Sequence, residues 1–251
     1  MRYRATLSYD GSAYQGFQRQ SGNTPTVQWA VECALKHITH QEVTILGAGR
    51  TDTGVHAAGQ VISFDVDWQY DDATLLRALN AVLPDDIALQ DIRQHEGFHP
   101  RYDALSRQYV YTVIHAPQRQ PLWIGRAWYI YKPLNLEMLN QTAAALIGQH
   151  DFAAFGKPPQ GSNTVREVFV SQWEREQQAH ITIYRYTIEA TAFLYHMVRR
   201  IVAVQVEVGK QRMSFDKFMA IFRSADITRN KLMAPPQGLI LEKVRYSDDN
   251  V

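Results

Sequence analysis

The chain has 251 residues, which allows one large domain or two of ordinary size and a substantial hydrophobic core. Its 45% hydrophobic and 20% charged content is typical of globular proteins and excludes disordered, collagen-like and rod-shaped coiled-coil classes. The 26 basic and 25 acidic residues nearly cancel. Arginine nevertheless outnumbers lysine, and two explanations stay open: recognition of phosphates and base edges by guanidinium groups, or genomic base composition.

Targeting and redox features are few. No apolar run approaches the roughly 18 residues of a transmembrane helix, so no membrane association is expected. The N-terminus alternates polar and apolar residues where a signal peptide has a continuous apolar stretch, which predicts a cytoplasmic protein. The single cysteine, Cys33, excludes an internal disulfide and a zinc site of paired thiolates.

The first half of the sequence predicts the element order β-α-β-β-α-β. Tyr3, Ala5, Leu7 and Tyr9 alternate with polar residues, as in a strand with one buried face. Thr24 or Thr26 can cap a helix with apolar positions every three to four residues. The predicted elements are a strand from residue 2, a helix over 27–38, strands over 43–48 and 60–66, a helix over 73–83 and a strand over 87–92.

The second half predicts the same order again, with insertions. Its predicted strands cover 107–114, 168–173, 181–190 and 239–246, its helices 136–147 and 194–208, and its insertions an apolar stretch at 127–131 and a helix over 215–222. The fold class is therefore α+β. Two similar split β-α-β (ferredoxin-like) halves form a mixed, largely antiparallel sheet with helices on one face and the other face free. We expect domains over 1–105 and 106–251.

The stretch Gly49-Arg50-Thr51-Asp52-Thr53-Gly54-Val55-His56 lies between two predicted strands. Flanking glycines allow positive φ and close approach of another chain or a ligand. Pairing with Arg50 would keep the Asp52 carboxylate ionised, as a nucleophile requires. On spacing alone, however, glycine-bracketed loops of this kind are usually ordinary turns.

This octapeptide resembles the signature of the TruA family of tRNA pseudouridine synthases, and matching blocks extend over nearly the whole chain. They lie in this order: Tyr9-Asp10-Gly11 with Gly16-Phe17-Gln18, Phe98-His99-Pro100-Arg101-Tyr102, Ser106-Arg107-Gln108-Tyr109-Val110-Tyr111, Asp151-Phe152-Ala153-Ala154-Phe155, Ala192 to Val202, and Ala234 to Leu241. Ala203 stands where the family usually has glycine, and Thr53 where alanine is frequent.

The resemblance implies an enzyme that isomerises uridine to pseudouridine at tRNA positions 38, 39 or 40, in the anticodon stem-loop. Asp52 matches the family's nucleophile. Arg50 would pair with Asp52 and fill the space of the flipped base, and Tyr109 would stack on the uracil and take part in moving the C5 proton. Arg199 would line the active site, and Leu239 would supply apolar packing against the uridine or the catalytic loop. For Tyr109, Arg199 and Leu239, a purely structural role in the core or on a solvated helix face stays open.

The resemblance also implies tRNA and a second copy of the chain as partners, and no metal, nucleotide or other organic cofactor. The free face of the sheet would form the RNA-binding cleft. Its candidate RNA-binding residues are Arg19, Arg101, Arg107 and Arg166. The alternatives are a noncatalytic RNA-binding protein, a synthase paralogue with another RNA target, and a metal-dependent hydrolase. No His-Glu-x-x-His or paired-cysteine pattern favours the hydrolase.

Overall fold

A computed structural model describes residues 1–22 and 24–250. Asn23 and Val251, which fall within the two expected domain ranges, lie outside the described residues. The chain divides into two compact units. The first contains Met1–Leu105 together with the segment from Ile240 onward, and the second is Ser106–Leu239.

The helices and strands follow one another in a mixed α+β order. The strands are β1 (Arg2–Tyr9), β2 (Leu46–Gly47), β3 (His56–Asp65), β4 (Ile87–Gln94), β5 (Ser106–His115), β6 (Trp128–Ile130), β7 (Gly148–Asp151), β8 (Val165–Gln178), β9 (Ile181–Ala190) and β10 (Leu239–Arg245). The α-helices are α1 (Val27–Thr39), α2 (Asp72–Val82), α3 (Leu136–Ala144), α4 (Met197–Gly209) and α5 (Phe215–Arg223).

The first unit confirms the predicted split β-α-β order. Its sheet has the strand order β4-β1-β3-β10, and β2 also pairs with β3. β1 is antiparallel to both β3 and β4. The alternating residues of β1 are buried as predicted, and the Thr26 hydroxyl caps α1 by accepting from the backbone N–H of Trp29.

The second unit is built on a meander of long antiparallel strands. Its sheet has the order β5-β9-β8-β7, with antiparallel pairing throughout, while the short β6 runs parallel to β5. The mixed, largely antiparallel sheet structure predicted for the chain is confirmed. α3 packs on β8 and on α4, which buries ten residues that are nonpolar except for Gln205.

Four strands differ most from the expectation, and one of them, β8, covers Val165–Gln178 where a strand over 168–173 was predicted. β10, assigned above to the second half, pairs in parallel with β3 through Ile240 and Leu241 and belongs with the first unit. This pairing is available because β2 covers β3 only at Ile62 and Ser63, which leaves the His56 end of that edge open. The predicted strand over 43–48 is reduced to two paired residues, and β7 was not predicted.

Each unit contains one asparagine that bonds a helix to the backbone of a strand. In the first unit, Asn80 of α2 donates through Nδ2 to the carbonyl of Leu89 (2.9 Å), and its Oδ1 accepts from the Leu89 N–H (2.8 Å). In the second, Asn140 of α3 makes the same pair of bonds with Trp173 of β8 (2.9 and 2.8 Å). An amide side chain carries both a donor and an acceptor, so each bridge bonds the backbone N–H and C=O of one strand residue to a helix.

No helix in the described part of the chain combines the length and the apolar character needed to cross a bilayer.

We expect Asn80→Ala and Asn140→Ala each to lower the free energy of unfolding by about 1–3 kcal/mol, because each leaves a strand N–H and C=O without partners. Urea unfolding measures the change. Asn→Asp at the same positions is the matched control, since it keeps the acceptor and loses the donor. At neutral pH the carboxylate would face a carbonyl oxygen to which it cannot donate. Protonation restores a donor, so the free energy of unfolding of the Asp variants should rise as pH falls. Unchanged stability of both Ala variants would contradict a structural role for the bridges.

Candidate functional site

Asp52 lies in the loop between β2 and β3, and its side chain is half-buried. Its neighbours on either side differ sharply: Thr51 is buried and Thr53 is exposed. The Asp52 carbonyl accepts from the N–H of Val55 at 3.1 Å, which closes a turn, and Gly54 within that turn has φ of +74°. The turn therefore places a carboxylate at the protein surface on a backbone that is itself fixed by hydrogen bonds.

Polar contacts with side chains of β1 and β3 hold this loop. The hydroxyls of Tyr9 and Thr51 lie 2.7 Å apart, and burial raises the pKa of Tyr9 well above its ordinary value, so the phenol stays neutral. Gln60 of β3 donates through Nε2 to the Gly49 carbonyl at 2.8 Å. The first half of the loop is thus bonded to side chains of β1 and β3.

The segment after β1 holds the loop from the other side. The Thr51 carbonyl accepts from the N–H of Phe17 at 3.1 Å. Two glycines allow this approach: a Cβ on Gly11 would lie 2.0 Å from the Val55 carbonyl oxygen, and one on Gly16 would lie 2.8 Å from that of Thr51. Gly16 also has φ of +89°, a conformation that favours glycine. No other residue fits at either position without moving the loop.

His56 follows the loop and ties it to the same segment. Its Nδ1 accepts from the N–H of Gly11 at 3.1 Å, and an Asp10 carboxylate oxygen lies 3.1 Å from the same nitrogen. The imidazole is 9% exposed. His56 therefore takes part in holding the loop.

Arg50 is exposed, and its Nε donates to the Gln18 amide oxygen at 3.1 Å. Gln18 in turn donates to Gln28 of α1 at 2.7 Å. The guanidinium of Arg50 is thereby bonded to the same segment that packs on the Asp52 loop. Arg50 and Asp52 are brought into one loop, as expected from their spacing.

In the second unit, Tyr109 lies in β5 and is 8% exposed. The Phe193 ring meets it edge-on, with ring centroids 5.1 Å apart and an angle of 88° between the planes. This contact fixes the plane of the phenol ring. Leu239, at the start of β10, is buried as well.

Arg199 lies in the first turn of α4, and two hydrogen bonds link it to the backbone of Ala234. Its Nε donates to the Ala234 carbonyl at 2.9 Å, and its own carbonyl accepts from the Ala234 N–H at 3.0 Å. Burial raises the pKa of the Tyr111 phenol, and the positive charge of Arg199 opposes that rise. The Tyr111 hydroxyl donates to the Pro235 carbonyl at 2.7 Å.

The four candidate RNA-binding arginines differ in what they contact. Arg19 forms an ion pair of 2.9 Å with Glu32, a buried carboxylate of α1. Arg107 is buried and donates to the Thr191 carbonyl at 2.9 Å. Arg166 donates to the carbonyls of Asn163 and Val165, and desolvation lowers its pKa. Arg101 is exposed, near the end of the first unit's continuous segment.

Among the described residues, no group of three or more His, Cys, Asp or Glu side chains is placed to hold a metal ion. The chemistry available from this chain's own residues is that of a carboxylate, tyrosines and guanidinium groups.

The residues that support the loop were not identified from the sequence as functional. The alternation that predicts β1 explains Tyr9 as a core residue and gives no sign of its bond to Thr51. Gly11 and Gly16 belong to a quoted block, but a glycine in a polar loop has many explanations. A backbone approach between residues about 35 positions apart leaves no local pattern in the sequence.

Comparison with known proteins gives a consistent result. The family model described as tRNA pseudouridine synthase matches residues 5–103 and 142–247. A protein of Neisseria gonorrhoeae named tRNA pseudouridine synthase A is 41% identical over 251 aligned residues, covering 98% of this chain and 92% of that protein. Proteins of the same name from Methylacidiphilum infernorum and a Thermoanaerobacter species are each 40% identical, covering 98% and 96% of this chain and 96% and 97% of their own lengths.

One solved structure, of an archaeal box H/ACA sRNP Nop10-Cbf5 complex, matches with a TM-score of 0.36 and 11% identity. The match covers 81% of this chain and 44% of the chain in that structure.

Gly16→Ala should displace the Asp52 loop, whereas Gly22→Ala should not. Both glycines have positive φ, so both variants carry the same kind of backbone strain, but Gly16 faces another backbone segment, whereas no described residue beyond its chain neighbours lies within 4 Å of a Cβ on Gly22. We expect Gly16→Ala to lose about 1–3 kcal/mol of unfolding free energy beyond the loss in Gly22→Ala. Urea unfolding of the two variants measures that difference, and equal losses would contradict the importance of the contact.

Proposed function

We propose, on the premise that the chain belongs to the tRNA pseudouridine synthase family, that its target is the anticodon stem-loop of tRNA. The family isomerises uridine to pseudouridine, and this chain is such an enzyme. The proposed positions are 38, 39 and 40, and the proposed nucleophile is Asp52.

The observation that carries the assignment of Asp52 is the contrast between its backbone and its side chain. The backbone is held by Phe17, Val55 and the Tyr9–Thr51 contact, yet the carboxylate stays half-buried at the surface. A nucleophile needs a fixed position and an ionised group that a substrate can reach. A half-buried carboxylate on a fixed backbone meets the requirements of position and access.

Pseudouridine formation breaks the bond between N1 of uracil and C1′ of ribose and forms a bond from C5 to C1′. C5 loses a proton and N1 gains one, so the reaction is redox-neutral and its atoms balance within one nucleotide. The carboxylate acts as a nucleophile at the sugar or the base, or removes a sugar proton. Every one of these routes requires its ionised form.

Other residues take roles from their chemistry. Tyr109 stacks on the uracil, and its hydroxyl takes part in moving the C5 proton. Arg50 pairs with Asp52 and occupies the space left when the base leaves its stack, a step that costs a few kcal/mol. Arg199 and Leu239 line the uridine site, one supplying charge and the other apolar contact.

Phosphate binding is assigned among the candidate arginines by their partners. Arg166 donates to two backbone carbonyls, and desolvation lowers its pKa, so a bound phosphate would supply a counter-charge for its guanidinium. Arg101 is exposed at the protein surface, where RNA can reach it. Arg107 is bonded to a carbonyl and Arg19 compensates the buried Glu32, which makes these two the weaker candidates.

We further propose that the enzyme works in the cytoplasm as a homodimer. A homodimer follows from the family resemblance described above. It is also supported by three large apolar side chains of the second unit that are exposed, Leu122, Ile124 and Tyr131, since such residues are common at subunit interfaces.

Asp52→Ala should reduce pseudouridine formation at least about 1000-fold while tRNA affinity stays within a few-fold of wild type, because the nucleophile is lost and the RNA contacts are kept. The assay uses an unmodified tRNA transcript, with pseudouridine mapped by chemical derivatisation. Asp67→Ala, an exposed aspartate elsewhere in the same unit, is the control. Product from Asp52→Ala would exclude Asp52 as nucleophile, and wild-type product outside the anticodon arm would exclude the proposed positions.

Tyr109→Phe should keep tRNA affinity and lower kcat by about 100-fold or more, since the ring held by Phe193 remains and the hydroxyl does not. Tyr109→Leu should weaken binding as well. Single-turnover rates and equilibrium binding separate the two effects. Wild-type kcat in Tyr109→Phe would restrict this residue to stacking.

A further inference from the structure

The segment over residues 98–103 carries an exposed group of side chains that the proposed chemistry does not use. Tyr102 is 75% exposed, and its ring lies against the His99 imidazole with centroids 4.2 Å apart and planes 32° from parallel. The Arg101 guanidinium carbon lies 5.9 Å from the centre of the same phenol ring. We call His99, Arg101 and Tyr102 the aromatic tip.

The tip is ordered by its own hydrogen bonds. The His99 N–H donates to an Asp103 carboxylate oxygen at 2.8 Å, and the Asp103 N–H donates to the His99 carbonyl at 3.1 Å. The His99 Nδ1 accepts from the backbone N–H groups of both Arg101 and Tyr102, each at 3.2 Å. The imidazole therefore fixes the backbone that carries the two exposed side chains and also supports the Tyr102 ring.

The base of the tip is held by the core of the first unit. Phe98 is buried between His95 and Tyr246, and the Arg4 guanidinium lies over the rings of both Phe98 (5.0 Å) and Tyr246 (4.3 Å). The Tyr246 hydroxyl donates to the Pro100 carbonyl at 2.7 Å. An exposed tyrosine on a mobile loop would lose conformational entropy on binding, whereas this one is already held in place.

Its chemistry fits an unpaired nucleotide. Nucleic acid bases stack on aromatic rings and guanidinium planes, and an arginine beside the ring can bind the adjoining phosphate. We infer that the aromatic tip binds the tRNA substrate through an unpaired nucleotide, which stacks on Tyr102 while Arg101 contacts its phosphate. Tyr102 is here a binding residue outside the uridine site. This inference rests on tRNA being the substrate.

The test compares Tyr102→Ala, Tyr102→Phe and Arg101→Ala with wild type. Binding is measured by fluorescence anisotropy with a labelled tRNA transcript over a range of salt concentrations, and KM and kcat are measured for pseudouridine formation. Tyr70→Ala is the matched control, because Tyr70 is 66% exposed in the same unit and lies beside another aromatic ring, Trp68.

Tyr102→Ala should weaken tRNA binding about 5- to 100-fold and raise KM more than it lowers kcat, with no change in the salt dependence of Kd. Tyr102→Phe should bind like wild type, since the stacking face is kept. Arg101→Ala should weaken binding and reduce the slope of log Kd against log salt by about 0.7–0.9, the value of one phosphate contact.

A Kd for Tyr102→Ala within twofold of wild type would overturn the inference, as would an equal loss in Tyr70→Ala. A loss in Tyr102→Phe as large as that in Tyr102→Ala would replace stacking by a hydroxyl contact. Tyr102→Trp, which enlarges the stacking face, should bind at least as tightly as wild type, and weaker binding also counts against stacking. The anisotropy measurement does not depend on catalysis, so failure of the proposed reaction would be seen separately in the kinetic arm.

Discussion

The close approach of two backbone segments in the first unit is the constraint on which the Asp52 loop depends. Gly11 and Gly16 bring the segment after β1 against residues 51–55, at distances that a side chain would prevent. The hydrogen bond from Phe17 to Thr51 and the contact of His56 with Gly11 follow from that approach. The close packing of these two segments and the contact between Tyr9 and Thr51 hold the backbone of the loop in place, while the Asp52 side chain is only half-buried.

The arginines of the chain differ in whether they are paired with carboxylates. The net charge of the chain is close to zero. This says little about RNA binding, because several arginines form ion pairs with carboxylates inside the first unit. Arg4 is buried and pairs with Asp248 and Asp249, and Arg19 pairs with Glu32. Arg166 instead bonds to backbone carbonyls and keeps a partly desolvated positive charge. A basic protein surface is therefore defined by which guanidinium groups lack an acid partner, and composition does not report this.

The tyrosines of the chain lie in different environments. Tyr9 and Tyr111 are buried with their hydroxyls bonded within their own units, and burial raises the pKa of each, so both phenols stay neutral in the core. Tyr109, two residues from Tyr111 in the same strand, is held edge-on by Phe193. Tyr102 is exposed on a loop that its own neighbours order. The same residue type serves packing and recognition according to what surrounds it.

Local periodicity predicted most of the elements because each depends on residues close in sequence. β1, α1, β9 and α5 were predicted nearly to their ends, and the Thr26 cap was one of two predicted alternatives. The predicted strand over 43–48 was longer than β2 because Val43 and Ile45 are buried but lie outside any strand. β7 was missed because its four residues, Gly148–Asp151, have no alternating apolar pattern.

The sequence by itself determined the fold class, the family and the residues of the Asp52 loop, since motifs and periodicity are properties of neighbouring positions. Only the tertiary structure decided that β10 pairs with β3, that Gly11 and Gly16 hold the loop, and that Arg19 compensates Glu32 while Tyr102 is presented to solvent. Each of these depends on distances between residues far apart in the chain, or on the solvent left around a side chain. Such distances are set when the core packs, and no local pattern encodes them.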